Sequence, residues 1–201
     1  MRVDIKFYFK LQEALSKLVE FKKVEKIDKV LALDVAYKDD LAFCAAVICD
    51  LKKERVLKEI LVKEEIDFPY IPSLLFLREA PIMLEAIEKI DRDYDLILVD
   101  GHGLAHPRKA GLATVIGILT EKPTIGIAKS FLYGEIKDNY IFVEGQKVGI
   151  KFGKYYASIG SNIDIDSLER FFSAINFTYP KALKIADKLS KTSILSFIKR
   201  K

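Results

Sequence analysis

The sequence predicts one α/β domain in which helices flank a mixed β-sheet. Three short apolar runs follow one another closely near the beginning of the chain, as in an antiparallel meander. Farther along, residues 95–99 and 124–128 are continuous apolar runs separated by a helical pattern, which is typical of parallel strands joined by helices. With 201 residues and no internal repeat or linker, the chain is predicted to form a single domain over residues 1–201.

The N-terminal part is predicted to be a helix followed by the meander. Apolar residues recur at helical spacing across residues 1–29. The first strand candidate, residues 30–33, ends at Asp34. Residues 41–49 and 55–62 are the second and third strand candidates, and the short links between the three predict antiparallel pairing.

A rigid loop is predicted around Tyr70. Pro69 and Pro72 lie on either side of it, and two prolines so close together force extended backbone. Residues 74–90 follow as a predicted helix, in which Pro81 either makes a kink or starts a second helix.

Strands and helices alternate through the rest of the chain. One strand is predicted to end at Asp100 and another at Lys129, with a Gly-His-Gly turn and a helix between them. A hairpin and two terminal helices follow. The predicted ranges are 95–99 (strand), 101–103 (turn), 110–119 (helix, with Pro107 as a candidate start), 124–128 (strand), 140–150 (hairpin), 166–176 (helix) and 181–199 (helix).

The composition is that of a soluble globular protein. Half of the residues are hydrophobic and 31% are charged. No apolar run approaches the ~18 residues that span a bilayer, and the N-terminus has no signal-peptide core, so no membrane association and a cytoplasmic location are expected. Cys44 and Cys49 have an odd separation in one strand candidate, which predicts two buried thiols on opposite faces rather than a disulfide. The lysine-rich segment after Lys181 fits either phosphate binding or a solvated helix face.

Three charged residues lie where apolar strands are predicted to end: Asp34, Asp100 and Lys129. Ligands gather at the carboxyl ends of strands in open α/β sheets. Two carboxylates from neighbouring strands could bind Mg²⁺, which prefers oxygen ligands, and Glu79 near a helix start could complete the site. Aspartate is also a common turn residue, so either aspartate alone has a structural interpretation.

Two further features suggest contacts to a ligand. His102 and His106 lie in a turn with Gly103 and Pro107, which argues against a helical zinc-binding pair. Contact to a phosphate or a base is the favoured function, and structural hydrogen bonds are the alternative. Tyr70 on its rigid loop is either a core residue or a side chain that stacks on a base.

At these residues the sequence resembles the endonuclease V family. The matching segments are LALDVAY (31–37), PYIPSLLFLREAP (69–81), LILVDGHGLAHPR (96–108) and PTIGIAKS (123–130). The resemblance implies an RNase H-like fold. It also implies an endonuclease that cuts the second phosphodiester bond on the 3′ side of a deaminated base such as hypoxanthine, leaving a 5′-phosphate.

The resemblance further implies a role for each matching residue. Asp34, Glu79 and Asp100 would bind Mg²⁺, for which Mn²⁺ could substitute, and Lys129 would contact the phosphate near the cut. Tyr70 would take the place of the lesion base in the duplex. The loop and pocket that hold the flipped base would include Pro69, Ile71, Pro72, Gly101, His106, Ser130, Phe131 and Leu132. The partner is expected to be DNA that contains deoxyinosine, bound by a monomer.

The chain departs from the family pattern in three places. Ser161 stands where the family usually has histidine, and Asp187 stands where a second histidine is common. Ser73 replaces a frequent glycine after the proline loop. A metal site rebuilt with Asp164 or Asp166 is therefore one expectation.

Two other functions are compatible with the same residues. An endoribonuclease that acts on inosine in RNA would need contacts to a 2′-hydroxyl, which no sequence rule locates. A module that recognises inosine without cutting is favoured only by the missing histidine, since all three predicted carboxylates and Lys129 are present.

Overall fold

A computed structural model describes residues 4–66, 68–90 and 93–198 of the chain. Its strands are β1 (Lys29–Lys38), β2 (Leu41–Asp50), β3 (Arg55–Glu65), β4 (Leu96–Asp100), β5 (Thr124–Ala128), β6 (Glu135–Lys137), β7 (Tyr140–Val143), β8 (Gln146–Phe152) and β9 (Tyr155–Ser161). Its helices are α1 (Ile5–Ser16), α2 (Leu75–Lys89), α3 (Leu112–Thr120), α4 (Ile165–Ala174) and α5 (Lys181–Ile198). The strands form one sheet in the order β3-β2-β1-β4-β5-β9-β8-β7-β6.

The sheet is mixed, as the sequence predicts. β1, β2 and β3 form the antiparallel meander, whereas β1, β4 and β5 are parallel. The predicted hairpin is β7 and β8, and β9 pairs antiparallel with β5. The sequence patterns do not predict β6 or β9, because β6 is three exposed residues and β9 contains small residues that interrupt its apolar run.

The register of the central strands determines which charged residues become neighbours. Leu33 of β1 pairs with Val99 of β4, so Asp34 and Asp100 are the next residues on two adjacent strands. The prediction that the first strand ends at Asp34 is wrong, because β1 continues to Lys38 in its hairpin with β2. Only the pairing with β4 stops before Asp34, and this leaves room for its carboxylate at the edge of β4.

The two faces of the sheet support two separate cores. Alternate residues of β1 divide between them: Val30 and Ala32 pack with α4 and α5, whereas Leu31 and Leu33 pack with α1, α2 and α3. Cys44 belongs to the second core and Cys49 to the first, and both thiols are free. The predicted placement of the cysteines on opposite faces is therefore confirmed.

The N-terminal helix is shorter than predicted. α1 ends at Ser16, and residues 19–28 are not helical. The backbone of this segment bonds instead to the end of β9 and the start of α4: Asn162 N–H donates to the Glu20 carbonyl, and Val24 N–H donates to Ser167 Oγ. These tertiary hydrogen bonds outweigh the local helical periodicity. Residues 1–3 of the predicted helix lie outside the described residues.

Two candidate helix starts are also absent. Pro81 lies inside α2 and does not begin a second helix. No helix begins at Pro107, and α3 begins after Gly111. Gly111 is required there because a Cβ atom at this position would lie 2.2 Å from the His102 carbonyl oxygen. No helix in the described ranges is long and apolar enough to cross a membrane.

Candidate active site

Three aspartates from three elements meet at one edge of the sheet. Asp34 comes from β1, Asp100 from the end of β4 and Asp187 from α5, and one carboxylate oxygen of each lies within 4.8 Å of the others. Asp34 and Asp100 follow Ala32 and Leu98 at a spacing of two residues, so they lie on the face of the sheet that packs against α5, and both carboxylates point toward that helix. These three residues are called the carboxylate centre below.

The carboxylate centre contains closely spaced like charges in partly buried surroundings. Asp34 is only 5% exposed. The pKa of Asp34 is raised to about 6, mainly by burial; a hydrogen bond from Ser190 opposes this rise, and the charge of Asp100 adds to it. That bond runs from Ser190 Oγ to Asp34 Oδ2 over 2.5 Å.

Two lysines offset part of this negative charge. Lys129 Nζ lies 2.8 Å from Asp100 Oδ2 and 3.2 Å from Asp187 Oδ1, and Lys191 Nζ lies 2.7 Å from the same Asp187 oxygen. Burial acts to raise the pKa of Asp187, but the hydrogen bonds from Lys191 and Lys129 outweigh it and lower that pKa. Burial likewise acts to lower the pKa of Lys129, but its bonds to Asp100 and Asp187 and the charge of Asp100 together outweigh burial and raise that pKa. Lys129 is therefore a fixed positive charge beside the carboxylates.

Glu79 lies next to the carboxylate centre but is not part of the three-residue group. It belongs to α2, which packs on the opposite face of the sheet from α5. The pKa of Glu79 is raised to about 8, mainly by burial; a hydrogen bond from Tyr37 opposes this rise, and the charges of Asp34 and Asp100 add to it. Tyr37 Oη donates to Glu79 Oε1 over 2.7 Å. Glu79 is thus within electrostatic reach of two of the aspartates.

The donor set fits a divalent cation. Carboxylate oxygens are the ligands that Mg²⁺ and Mn²⁺ prefer, and three of them lie close enough together to share one ion. No nitrogen or sulfur ligand belongs to the group, which argues against zinc in a structural role.

The expectation that Asp164 or Asp166 rebuilds a metal site is wrong. Asp164 is the N-cap of α4, where its side chain accepts from Ser167 N–H over 2.8 Å. Asp166 is exposed in the first turn of the same helix. Ser161 is fully buried, and its hydroxyl accepts from Glu20 N–H. Asp164 and Ser161 have structural roles, and none of the three residues belongs to the carboxylate centre.

The sequence interpretation missed Asp187 as a site residue, although it noted that a family histidine is replaced there. One signal could have found it. Asp187 is the only acidic residue in the segment from Lys181 to the C-terminus, which is otherwise apolar, polar or basic. A single acidic residue in a lysine-rich amphipathic helix indicates a side chain that faces the protein rather than the solvent.

A pocket of about 340 Å³ adjoins the carboxylate centre. Asp100 and Lys129 line it, so the pocket and the centre share a border. Several residues expected from the sequence lie on its wall, namely Tyr70, Gly101, His106, Ser130 and Leu132, whereas Pro69, Ile71 and Pro72 do not line it. Tyr70 is 66% exposed, which excludes the alternative that it is a core residue.

A buried hydrogen-bond cluster joins the proline loop to the turn after β4. It consists of Gln12, Ser73, His106 and Arg108, and is called the Gln12 cluster below. Gln12 Nε2 donates to the Ser73 carbonyl over 2.9 Å and to the Ala110 carbonyl over 2.8 Å. Gln12 Oε1 accepts from Arg108 Nε over 2.7 Å. A side chain from α1 thereby connects two loops that are distant in sequence.

Ser73 lies at the centre of this cluster. Its φ of 66° is in the left-handed region, which is unfavourable for residues other than glycine. Its hydroxyl oxygen lies 2.5 Å from the donating Arg108 Nη2, and its carbonyl oxygen accepts from both Gln12 and His106. These bonds hold Ser73 in a conformation that the isolated loop would not favour. Sequence reasoning missed Gln12, since a glutamine in an amphipathic helix resembles a solvent-exposed residue.

In the turn, His106 is buried and His102 is partly buried, and both rings are uncharged at neutral pH. Burial lowers the pKa of His102 and of His106 to about 4. Nδ1 of His106 accepts from Arg108 N–H at 3.2 Å, and its Nε2 lies 3.0 Å from the Ser73 carbonyl oxygen. The two contacts together require the neutral ring with its hydrogen on Nε2. The structure therefore supports structural hydrogen bonding for His106, at a place where its ring also lines the pocket.

The endonuclease V family model matches residues 10–188 of the chain. The chain belongs to the endonuclease V family. Endonuclease V of Sulfolobus acidocaldarius is 49% identical over 193 residues, which cover 93% of this chain and 94% of that protein. Endonuclease V of Sulfurisphaera tokodaii is 45% identical over 193 residues with the same coverage. The prediction that the chain is a nuclease of this family is therefore confirmed.

Solved structures show the same fold. Endonuclease V of Streptomyces avermitilis superposes with a TM-score of 0.84 at 28% identity, covering 98% of this chain and 96% of that one. Ciona intestinalis endonuclease V, solved with a DNA that contains an inosine followed by a ribo-adenosine, has a TM-score of 0.84 at 20% identity, covering 96% and 98%. The predicted fold class, an α/β domain with a mixed sheet flanked by helices, is confirmed.

Proposed function

We propose that the chain is a Mg²⁺-dependent endonuclease that nicks DNA at the second phosphodiester bond on the 3′ side of deoxyinosine. The observation that supports this most strongly is the shared border of the carboxylate centre and the pocket, through Asp100 and Lys129. A nuclease specific for a lesion needs a base-binding pocket and a phosphate-cleaving centre at a fixed separation. Here Asp100 belongs to both the centre and the pocket, and Lys129 contacts the centre while it lines the pocket.

Asp34, Asp100 and Asp187 are the residues that would hold the cation, with Glu79 beside them. Bound Mg²⁺ or Mn²⁺ would supply Lewis acidity at the scissile phosphate and lower the pKa of a coordinated water. Asp34 is held by Ser190, and Asp187 is held by Lys191 and Lys129. Two of the three carboxylates are therefore oriented by side chains of α5, the helix that carries Asp187.

Lys129 provides a second positive charge for the phosphate. Its ammonium lies between Asp100 and Asp187, and its raised pKa keeps it charged at neutral pH. A fixed cation close to the place where negative charge develops stabilises the transition state without reorganisation. Glu79 has a pKa raised to about 8, so its protonated form can donate a hydrogen bond and its ionised form can accept one from water.

The pocket would receive the lesion base after it leaves the duplex. A volume of about 340 Å³ accommodates one nucleobase, and the neutral rings of His102 and His106 add no charge to its wall. Tyr70 is exposed at the rim, where its ring could fill the space left in the stack. Extruding a base costs a few kcal/mol and costs least at a mispaired base, which favours deaminated sites.

The related proteins support this proposal by their names and one of them by its ligand. The relatives at 49% and 45% identity are both named endonuclease V. The Ciona protein, which shares the fold, was crystallised with inosine-containing DNA. We expect this chain to act as a monomer in the cytoplasm.

Cleavage of a labelled strand with one deoxyinosine tests the proposal. The substrate is used single- and double-stranded, with Mg²⁺, Mn²⁺ or EDTA, beside a control strand with deoxyadenosine at the same position. We expect a cation-dependent nick one nucleotide 3′ of the lesion, with a 5′-phosphate, and no nick in the control strand. Cleavage of inosine-containing RNA alone would replace this proposal by the endoribonuclease. Binding without cleavage under every condition would replace it by a recognition module.

A further inference from the structure

Tyr179 is a buried tyrosine whose hydroxyl has no hydrogen-bond partner. It directly precedes the Pro180 that leads into α5, and it is 7% exposed. Its ring packs on Tyr155 of β9, with ring centroids 4.6 Å apart. In the described part of the chain, this hydroxyl and that of Thr114 are the buried side-chain polar atoms that lack a partner. A buried hydroxyl without a partner destabilises a fold and therefore requires an explanation.

The charges that act on Tyr179 belong to the carboxylate centre and its lysine. Burial is the main reason why the pKa of Tyr179 is raised, and the charge of Asp100 follows, with smaller contributions of the same sign from Asp34 and Asp187. Lys129 acts in the opposite direction. The phenol therefore stays protonated at neutral pH, and the charged groups that act on it are Lys129 and carboxylates, which accept hydrogen bonds.

The three carboxylates differ in how firmly neighbouring side chains hold them. Asp34 accepts from Ser190, and Asp187 accepts from Lys191, a neighbour on its own helix. Asp100 accepts from Lys129, and that lysine is also the group proposed to contact the phosphate. When Lys129 also contacts a phosphate from its fixed position, its bond to Asp100 is shared, and Asp100 needs another donor to fix its orientation.

We propose that Tyr179 is the positioning residue of Asp100: its hydroxyl donates a hydrogen bond to the Asp100 carboxylate when that carboxylate holds a divalent cation. This inference rests on the proposed function, since it assumes the metal site. Donors behind a ligating carboxylate fix its orientation and contribute to metal affinity. This explains why the Tyr179 hydroxyl is unpaired, because its hydrogen bond to Asp100 forms only when the centre binds its ion.

The variant Tyr179→Phe removes the hydroxyl and keeps the buried ring. The matched control is Tyr155→Phe, which makes the same change in the ring that packs against it. Two quantities are measured in the whole chain without nucleic acid. The first is the dissociation constant for Mn²⁺ and for Mg²⁺ by titration calorimetry, and the second is the midpoint of thermal unfolding in EDTA.

The two measurements should change in opposite senses for Tyr179→Phe. We expect about tenfold weaker cation binding, as for loss of other groups behind metal ligands. The midpoint in EDTA should stay the same or rise by about 2–4 °C, because an unpaired buried hydroxyl has been removed. Tyr155→Phe should leave cation binding unchanged.

The possible outcomes separate this inference from the proposal on which it rests. Unchanged cation binding in Tyr179→Phe, with normal binding in the wild-type chain, overturns the role of Tyr179 and leaves the metal site intact. A lower midpoint in EDTA overturns the inference as well, since it means that the hydroxyl already stabilises the fold. A wild-type chain that binds neither cation overturns the metal site itself and, with it, any role for Tyr179 there.

Discussion

The pocket and the carboxylate centre share Asp100 and Lys129, yet they are stabilised in opposite ways. In the Gln12 cluster, donors and acceptors are paired: Gln12 uses both of its amide hydrogens and its oxygen, and the His106 ring uses both nitrogens. In the carboxylate centre, like charges lie within 4.8 Å of one another and the hydroxyl of Tyr179 is unpaired.

This difference indicates which region fixes shape and which region depends on a ligand. Paired, buried hydrogen bonds define one geometry, so the pocket wall is preformed before any base arrives. Clustered carboxylates destabilise the fold until a cation neutralises them. Relief of their repulsion then contributes to the free energy of cation binding. Substitutions in the Gln12 cluster should therefore lower stability, and substitution of Asp34, whose pKa is raised by burial, should raise stability while it abolishes activity.

The largest effect is expected from Asp187→Asn. Loss of one carboxylate from the centre weakens the cation site that stabilises the transition state, so cleavage of the deoxyinosine strand should fall about 10³-fold or more. Single-turnover cleavage at saturating Mg²⁺ measures this rate. Asp166→Asn is the matched control, because Asp166 is an exposed acid on α4 outside the centre. Equal losses in both variants would exclude a specific role for Asp187.

Asp187 also shows what limited the prediction of this site from sequence. Asp34, Asp100 and Lys129 could be identified because each closes an apolar run, and the order of strands then implies that they meet. Asp187 lies on a helix far away in the chain, and no local pattern says that α5 crosses the sheet at Asp34 and Asp100. Its partners are set by tertiary packing, and no short segment of a single sequence shows which elements will pack together.

The fold was also predictable only where local sequence patterns determine it, and not where tertiary packing does. Apolar runs bounded by turns located most strands, and helical spacing located α2, α3 and α5. Residues 19–28 were wrongly predicted as helix, because their hydrogen bonds go to β9 and α4. Gln12 was overlooked because the groups that satisfy its amide, in the loops at Ser73 and Ala110, follow only from the folded arrangement.

The next largest effect is expected from Gln12→Ala. The substitution leaves the Ala110 carbonyl and Arg108 Nε without their buried partner, so the free energy of unfolding should fall by about 2–4 kcal/mol. Denaturant unfolding in EDTA measures the loss. The discrimination between deoxyinosine and deoxyadenosine strands should fall with it, because Ser73 anchors the loop that carries Tyr70. Lys10→Ala, an exposed change on the same helix, should alter neither quantity.

A smaller effect, confined to selectivity, is expected from Tyr70→Ala. The side chain is 66% exposed and contributes little to the cores, so thermal stability should not change. Loss of a stacking ring should lower the discrimination between deoxyinosine and deoxyadenosine by about tenfold. The ratio of the two cleavage rates is the measurement, and Tyr70→Phe should restore it because the ring is kept. A wild-type ratio in Tyr70→Ala would contradict the wedge role.

The smallest effect is expected in the pH dependence of stability, and it distinguishes the two regions most directly. Burial raises the pKa of Asp34 to about 6 from its usual value near 4. A raised carboxyl pKa contributes stability that is complete below the unfolded-state pKa and is lost as the pH rises through 6. In EDTA, the unfolding midpoint of Asp34→Asn should therefore exceed that of the wild-type chain by an amount that grows between pH 4 and 7.

The buried histidines act in the opposite direction, because their lowered pKa removes stability as the pH falls from about 6.5 toward 4. They are present in both chains, so their contribution cancels in the difference between the two midpoints. Each kcal/mol of charge burial corresponds to about 2–4 °C in that difference. Saturating Mg²⁺ should raise the midpoint of the wild-type chain near pH 7 and reduce or reverse its deficit, because cation binding favours ionised Asp34. A difference that stays constant from pH 4 to 7 would mean that the Asp34 carboxylate is not the group whose ionisation destabilises this edge of the sheet.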